Sequence, residues 1–137
     1  MRALFSRGRA FTPGWISGLT DKRIEKAVRA IHDDLARAWT VAAMAREAGV
    51  SRSAFAAAFS AAVGETPLDY VTTWRVHRAK VLLTSTDEGL AEIARRVGYD
   101  SDTALSRAFR RKVGVPPGAF RKTNGPDAPR SVSRQPS

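Results

Sequence analysis

Apolar residues recur at intervals of three and four along most of this chain, and no stretch alternates as a strand does. Between Asp21 and Trp39 the positions Ile24, Ala27, Val28, Ile31 and Leu35 share one face, which predicts an amphipathic helix capped by Thr20 or Asp21. Thr40 caps a short second helix, VAAMAREA, ended by Gly49. Ser51 caps a third that runs to Val63 and stops at Gly64. Thr66 and Pro67 open a fourth, with Pro at the first helical position. Its expected apolar stripe is Leu68, Val71, the stem of Arg75, Ala79 and Leu82. It extends to about Thr84, roughly 26 Å at 1.5 Å per residue.

The same short–turn–long pattern then returns. A fifth helix is expected over about Leu90–Val97, closed by Gly98, and a sixth over about Asp102–Lys112, closed by Gly114. A last short helix begins at Pro117 and includes Phe120. Residues 123–137, TNGPDAPRSVSRQPS, are rich in Pro, Ser and Gly and predict a disordered tail. The fold class is therefore all-α with about seven helices. The expected divisions are a basic arm at 1–20, a first subdomain with the long linking helix at 21–84, a second subdomain at 85–122 and the tail at 123–137.

The two halves are copies. At an offset of 49, Ala42, Ala45, Arg46 and Gly49 match Ala91, Ala94, Arg95 and Gly98. After one inserted residue, at an offset of 50, Ala54, Ala58, Phe59, Val63, Gly64 and Pro67 match Ala104, Ala108, Phe109, Val113, Gly114 and Pro117, and Tyr70 pairs with Phe120. Each copy is a short helix, a Gly-containing turn and a longer helix, the composition of a helix-turn-helix. Two helices that cross steeply need small side chains where they touch, and Ala45 and Ala94 stand four residues before the turn glycines. Met44 or Ile93, with Phe55 or Leu105, can fill the crossing.

Charge narrows the function. The 137 residues carry 23 Lys and Arg against 13 Asp and Glu, a net charge of +10 that favours polyanionic partners. The excess is spread out: residues 1–20 hold +3, 21–83 hold ten cations against seven acids, 84–124 hold eight against five, and the remainder +1. With no Cys, disulfides and thiolate metal sites are excluded. His32 and His77 stand apart with no acidic cluster, so each is expected as a half-buried or surface imidazole and not as a ligand or catalyst. No apolar run reaches membrane-span length. There is no Gly-rich phosphate loop, paired-carboxylate site or nucleophile–base constellation, and GWISG has the wrong spacing for a nucleophile elbow.

The region from about Trp39 to Lys122 resembles the DNA-binding domain of AraC/XylS-type transcription regulators. IARRVGYDSDTALSRAFRRKVGVPPGAFR carries the resemblance most specifically, and the first copy is similar in its turn, in Phe59 and Gly64 and in the Trp-Arg of the fourth helix. Extended through PGWISGLTDKRIEKAVRAIHDDLARAWT, it reaches about residue 13. The resemblance implies two helix-turn-helix subdomains, each placing its second helix in the major groove, with the fourth helix setting their separation. Successive major-groove faces lie about 34 Å apart, so one chain could read an asymmetric site without dimerising. It further implies double-stranded DNA as partner, RNA polymerase as a candidate second partner, regulation of transcription, no cofactor, no metal and no catalysis. Relatives place a sensor or dimerisation domain before this one, and here about 20 residues precede the first helix. The expectation is a monomer, or a fragment of a longer regulator, in the cytoplasm and on the nucleoid.

Helical geometry sorts the second helix of each copy. Ala54, Phe55, Ala58 and Phe59, with Ala62, are expected in the first core, and Ala104, Leu105, Ala108 and Phe109 in the second. The open faces are then Arg52, Ser53, Ala56, Ala57 and Ser60, and Asp102, Thr103, Ser106, Arg107 and Arg110. The family's base-reading positions fall on Ser53, Ala56 and Ala57, with Arg52 beside them, and on Asp102, Thr103, Ser106 and Arg107. Arg107 can donate twice to a guanine, Asp102 can accept from cytosine or cap its helix, and an alanine can touch only a thymine methyl. Arg75, Arg110, Arg111, Lys112, Arg121 and Lys122 are the expected phosphate contacts. A non-specific architectural or RNA-binding basic protein is the competing class, since it shares the charge but does not require the duplicated turn.

Overall fold

The computed structural model describes residues 21–126. Among them are seven helices and no strand: α1 Lys22–Asp33, α2 Val41–Ala48, α3 Arg52–Val63, α4 Pro67–Ser85, α5 Leu90–Val97, α6 Asp102–Val113 and α7 Pro117–Asn124. The chain divides into two compact units between Val71 and Thr72, inside α4, so most of that helix packs with the second unit. Thr123 and Asn124, expected in the tail, form the last turn of α7. The basic arm at 1–20 and the tail beyond residue 126 lie outside the described residues.

In the first unit α1 starts because Asp21 caps it. The carboxylate accepts from the backbone N–H of Arg23 at 3.0 Å and of Ile24 at 3.4 Å. Glu25 then bonds Lys22 and Arg29, each at 3.0 Å, and these two cations hold its carboxyl below the ordinary glutamate range. The helix ends at Asp33 and not near Trp39. Tertiary bonds claim the segment that follows: the Trp39 indole donates to the Asp34 carbonyl at 2.8 Å. Arg37 lies over the Trp39 ring, 4.3 Å from its centroid, and bonds Glu47 of α2 at 3.0 Å.

Ile24, Ala27, Val28 and Ile31 are fully buried, as their spacing predicted. His32 is buried as well, at 2% exposure, against the expectation of a half-buried or surface ring. Its Nε2 lies 2.6 Å from the Tyr70 hydroxyl at the start of α4. Burial, with the charge of Glu65 adding to it, pushes the Tyr70 phenol above the ordinary tyrosine range, so the hydroxyl keeps its proton. Tyr70 stands edge-on to Phe59, which contacts Phe55, with centroid separations of 5.5 Å in both pairs. An aromatic chain thus runs from α1 through α4 to α3.

The second unit repeats this arrangement. Phe109 meets Phe120 edge-on at 5.4 Å, as Phe59 meets Tyr70, and Pro67 and Pro117 are both buried. Val76, Ala79, Leu82 and Leu83 of α4 pack with Ile93, Ala94 and Val97 of α5 and with Leu105 and Phe109 of α6. Leu68, expected in the apolar stripe of α4, is 48% exposed. The stripe falls instead on Tyr70, Val71, Val76, Ala79, Leu82 and Leu83, because the helix serves one core with its first turn and another with the rest.

Two polar devices fix the second unit. Arg121 of α7 donates to three carbonyls around the end of α4: Leu83 through Nε at 3.2 Å, Thr86 through Nη2 at 2.9 Å and Glu88 through Nη1 at 2.6 Å. These are acceptors a helix end and loop leave unsatisfied. Arg75 is half-buried, 5.3 Å from the Tyr99 ring centroid, and lies against Gly98. Burial lowers its pKa from the ordinary arginine value and the Tyr99 hydroxyl opposes that change.

Arg121→Lys keeps the charge but not the planar fork, and should lower stability by about 2 kcal/mol in urea unfolding. An unchanged midpoint would remove the clamp from the account. The turn glycines allow a second check. Gly49 (φ +75°) has open space around it, whereas a Cβ on Gly98 (φ +111°) would lie 2.7 Å from the Arg75 guanidinium. Replacing either by Ala should cost about 1–2 kcal/mol for the left-handed backbone. Gly98→Ala should show a further coupling of about 0.5 kcal/mol or more that vanishes in an Arg75→Ala background. Equal costs in both backgrounds would mean Arg75 yields freely.

Candidate nucleic-acid interface

Each unit builds one turn between two helices. Gly49 and Gly98 end α2 and α5 in left-handed conformation. The N–H of Val50 bonds the Ala45 carbonyl at 3.1 Å and that of Tyr99 bonds Ala94 at 2.8 Å, closing the helix end over an apolar residue. Ser51 and Ser101 then cap α3 and α6, their hydroxyls accepting from Ala54 at 3.2 Å and Ala104 at 3.1 Å. The matched alanines Ala45 and Ala94 are buried under the turns beside Met44 and Ile93, as their size required. α3 is held by Phe55 and Phe59, and α6 by Leu105 and Phe109, all with no exposed surface.

What these anchors leave outside differs between the copies. On α6, Asp102, Thr103, Arg107 and Arg110 are exposed and Ser106 is half-buried. The side chains of Arg107 and Arg110 make no hydrogen bond or ion pair among the described residues. Arg111 is exposed and Lys112 half-buried, and with Arg110 they form a cationic last turn that suits the helix C-terminus as well as an external anion. On α3, Arg52, Ser53, Ala57 and Ser60 are exposed and Ala56 is half-buried. Ala54 and Ala62 are exposed too, contrary to their expected place in the core, while Ala58 is half-buried. Only the two phenylalanines reach inward far enough; an alanine on the flank ends at Cβ and stays at the surface.

The structure brings the expected base-facing residues onto one open face in each unit, but it divides the expected phosphate contacts. Lys122 is exposed, as are Arg110 and Arg111. Arg121, expected among the phosphate contacts, donates to the three carbonyls described above and acts as an internal clamp. Arg75 is seated against the turn of its own unit, beside Gly98 and the Tyr99 ring.

One feature escaped the sequence. An open cavity of about 560 Å³ lies beside the start of α3, lined by Val41, Ser51, Arg52, Ser53 and Ala56. Val41 reads as an ordinary first apolar residue of α2, yet its position directly after the cap Thr40 sets it beside the other helix start. No group of three or more potential metal-ligating side chains occurs among the described residues, and no helix there is long and apolar enough to cross a membrane.

A helix-turn-helix domain family matches residues 44–123. The chain is 50% identical over 109 residues to a putative AraC-like transcription regulator of Streptomyces lividans, covering 80% of this chain and 36% of that protein. It is 37% identical over 108 residues to the transcriptional regulator AlkR of Acinetobacter baylyi, covering 79% and 35%. It thus spans about a third of the length of the curated relatives it matches. Among solved structures, the DNA-binding domain of AdpA in complex with a target DNA is similar with a TM-score of 0.71 and 33% identity, over 74% of this chain and 91% of that one. The C-terminal domain of AraT, a response regulator from Geobacillus stearothermophilus, gives 0.72 and 26%, over 82% and 96%.

Proposed function

The chain belongs to the AraC-type helix-turn-helix family, and from that premise we propose that it binds double-stranded DNA sequence-specifically and regulates transcription, each unit laying its second helix in a major groove. The observation that carries this is the pairing of two helix-turn-helix units with similarity to a domain solved on its target DNA, of which the chain covers 91%. In such motifs the first residues of the second helix meet base edges, while the first helix crosses the backbone. Base readout is assigned to Arg52, Ser53, Ala56 and Ala57 on α3 and to Asp102, Thr103, Ser106 and Arg107 on α6. Arg110, Arg111, Lys112 and Lys122 are assigned to phosphates.

The second unit supplies most of the hydrogen-bonded discrimination. Arg107 is exposed and uncommitted among the described residues, and can present its planar fork to a guanine. The exposed face of α3 offers only Arg52, Ser53 and Ser60 as polar groups. Binding as a monomer, contact with RNA polymerase and residence on the nucleoid are parts of the same proposal; catalysis is not.

Selection of the target from random duplexes tests the whole reading. A defined motif is expected, with preference for it retained at moderate salt over unrelated DNA. Equal binding to all sequences, or preference for RNA, would instead support the architectural class. Arg107→Ala should weaken binding by about 1–3 kcal/mol and relax preference at one base pair. An unchanged motif would take Arg107 out of the reading set. Ala57→Lys adds a cation to an exposed site and should steepen the salt dependence by about one phosphate equivalent. A new base preference in that variant would contradict the expectation.

A further inference from the structure

The cavity beside α3 is bounded by the first turns of two helices. Val41 belongs to α2, and Arg52, Ser53 and Ala56 belong to α3. On the proposed DNA-binding reading, that is where a base edge passes close to the sugar–phosphate backbone. Its chemistry is uneven. Val41 and Ala56 are half-buried and offer only hydrocarbon. The Ser51 hydroxyl oxygen accepts from the Ala54 N–H. At the rim stand Ser53 and Arg52, both exposed, with no hydrogen bond among the described residues.

We infer that this cavity receives the 5-methyl group of a thymine, so that the first unit selects thymine by apolar contact at Val41 and Ala56. The inference rests on the DNA-binding reading above. Thymine is the base whose major-groove edge combines a methyl group with a single acceptor, O4. The methyl group matches the hydrocarbon lining, and the Ser53 hydroxyl can donate to O4. A cytosine in the same place would present only a C5 hydrogen to Val41 and Ala56, so the apolar contact would be lost. Arg52 at the rim, with the N–H groups of the two helix starts, complements the phosphates on either side. Ala57 is exposed and does not line the cavity, so the two outward alanines of α3 part company. In the second unit the residue matching Ala56 is Ser106, which can hydrogen-bond, and so this mode belongs to the first unit alone.

The experiment replaces thymine by deoxyuridine, one position at a time, in the duplex selected by the 137-residue chain. Uracil keeps O4 and all pairing and lacks only the methyl group. At one position binding should weaken about fourfold, the factor corresponding to ~0.8 kcal/mol for one buried methyl(ene) group. That penalty should disappear in Ala56→Ser and in Val41→Thr, each nearly the size of the residue it replaces, while penalties at other positions stay as they were. Circular dichroism checks that both variants fold, and either one alone suffices. Sequence-specific binding with no uracil penalty, or with a penalty that neither variant changes, would overturn the inference and leave the DNA-binding reading intact. Equal binding to every duplex would overturn both.

Discussion

The close crossing of two helices beneath a glycine turn is the constraint on which the rest of each unit depends. Ala45 and Ala94 let the helices touch, and the left-handed residue after them reverses the chain without the steric cost a Cβ would add. Once that crossing is set, two large side chains per second helix are enough to fix its roll. Phe55 with Phe59, and Leu105 with Phe109, lie four residues apart and therefore on one face. Every other position of α3 and α6 is consequently half-buried or exposed. The outward surface follows from a small inward contact, repeated with little change in both halves of the chain.

Much of this was legible in the residues because the signals were local. Capping Ser and Thr, glycines just past helix ends and Pro at a first helical position act within a few residues, and α2, α3 and α5 run between the bounds those signals set. The misses were non-local. α1 shows helical periodicity as far as Leu35, but the Trp39 indole and Arg37 draw the chain out of the helix after Asp33. His32 looks like an isolated imidazole until Tyr70, 38 residues away, is brought to it. Arg121 has the composition of a phosphate contact and the geometry of a clamp, and only the carbonyls that the α4–α5 junction turns toward it tell the two apart.

The open faces were legible in kind and less so in extent. Helical spacing put Asp102, Thr103, Ser106 and Arg107 outward; Asp102, Thr103 and Arg107 are exposed and Ser106 is half-buried. It also put Ala54 and Ala62 inward, because alanine counts as apolar in a pattern while covering too little area to demand burial. The cavity beside α3 depends on Val41 from another helix, a juxtaposition that spacing within one helix cannot express.

The exposed alanines of α3 have a consequence for how such a surface can change over time. Alanine is the residue that a helix tolerates best, and an ordinary replacement at an outward position costs about 0.7 kcal/mol at most in helix propensity. The phenylalanines that hold α3 in place are untouched by what stands at Ala54, Ala57 or Ala61. Variation there is therefore nearly decoupled from folding. New side chains can accumulate at these three positions of α3 with little risk to the fold.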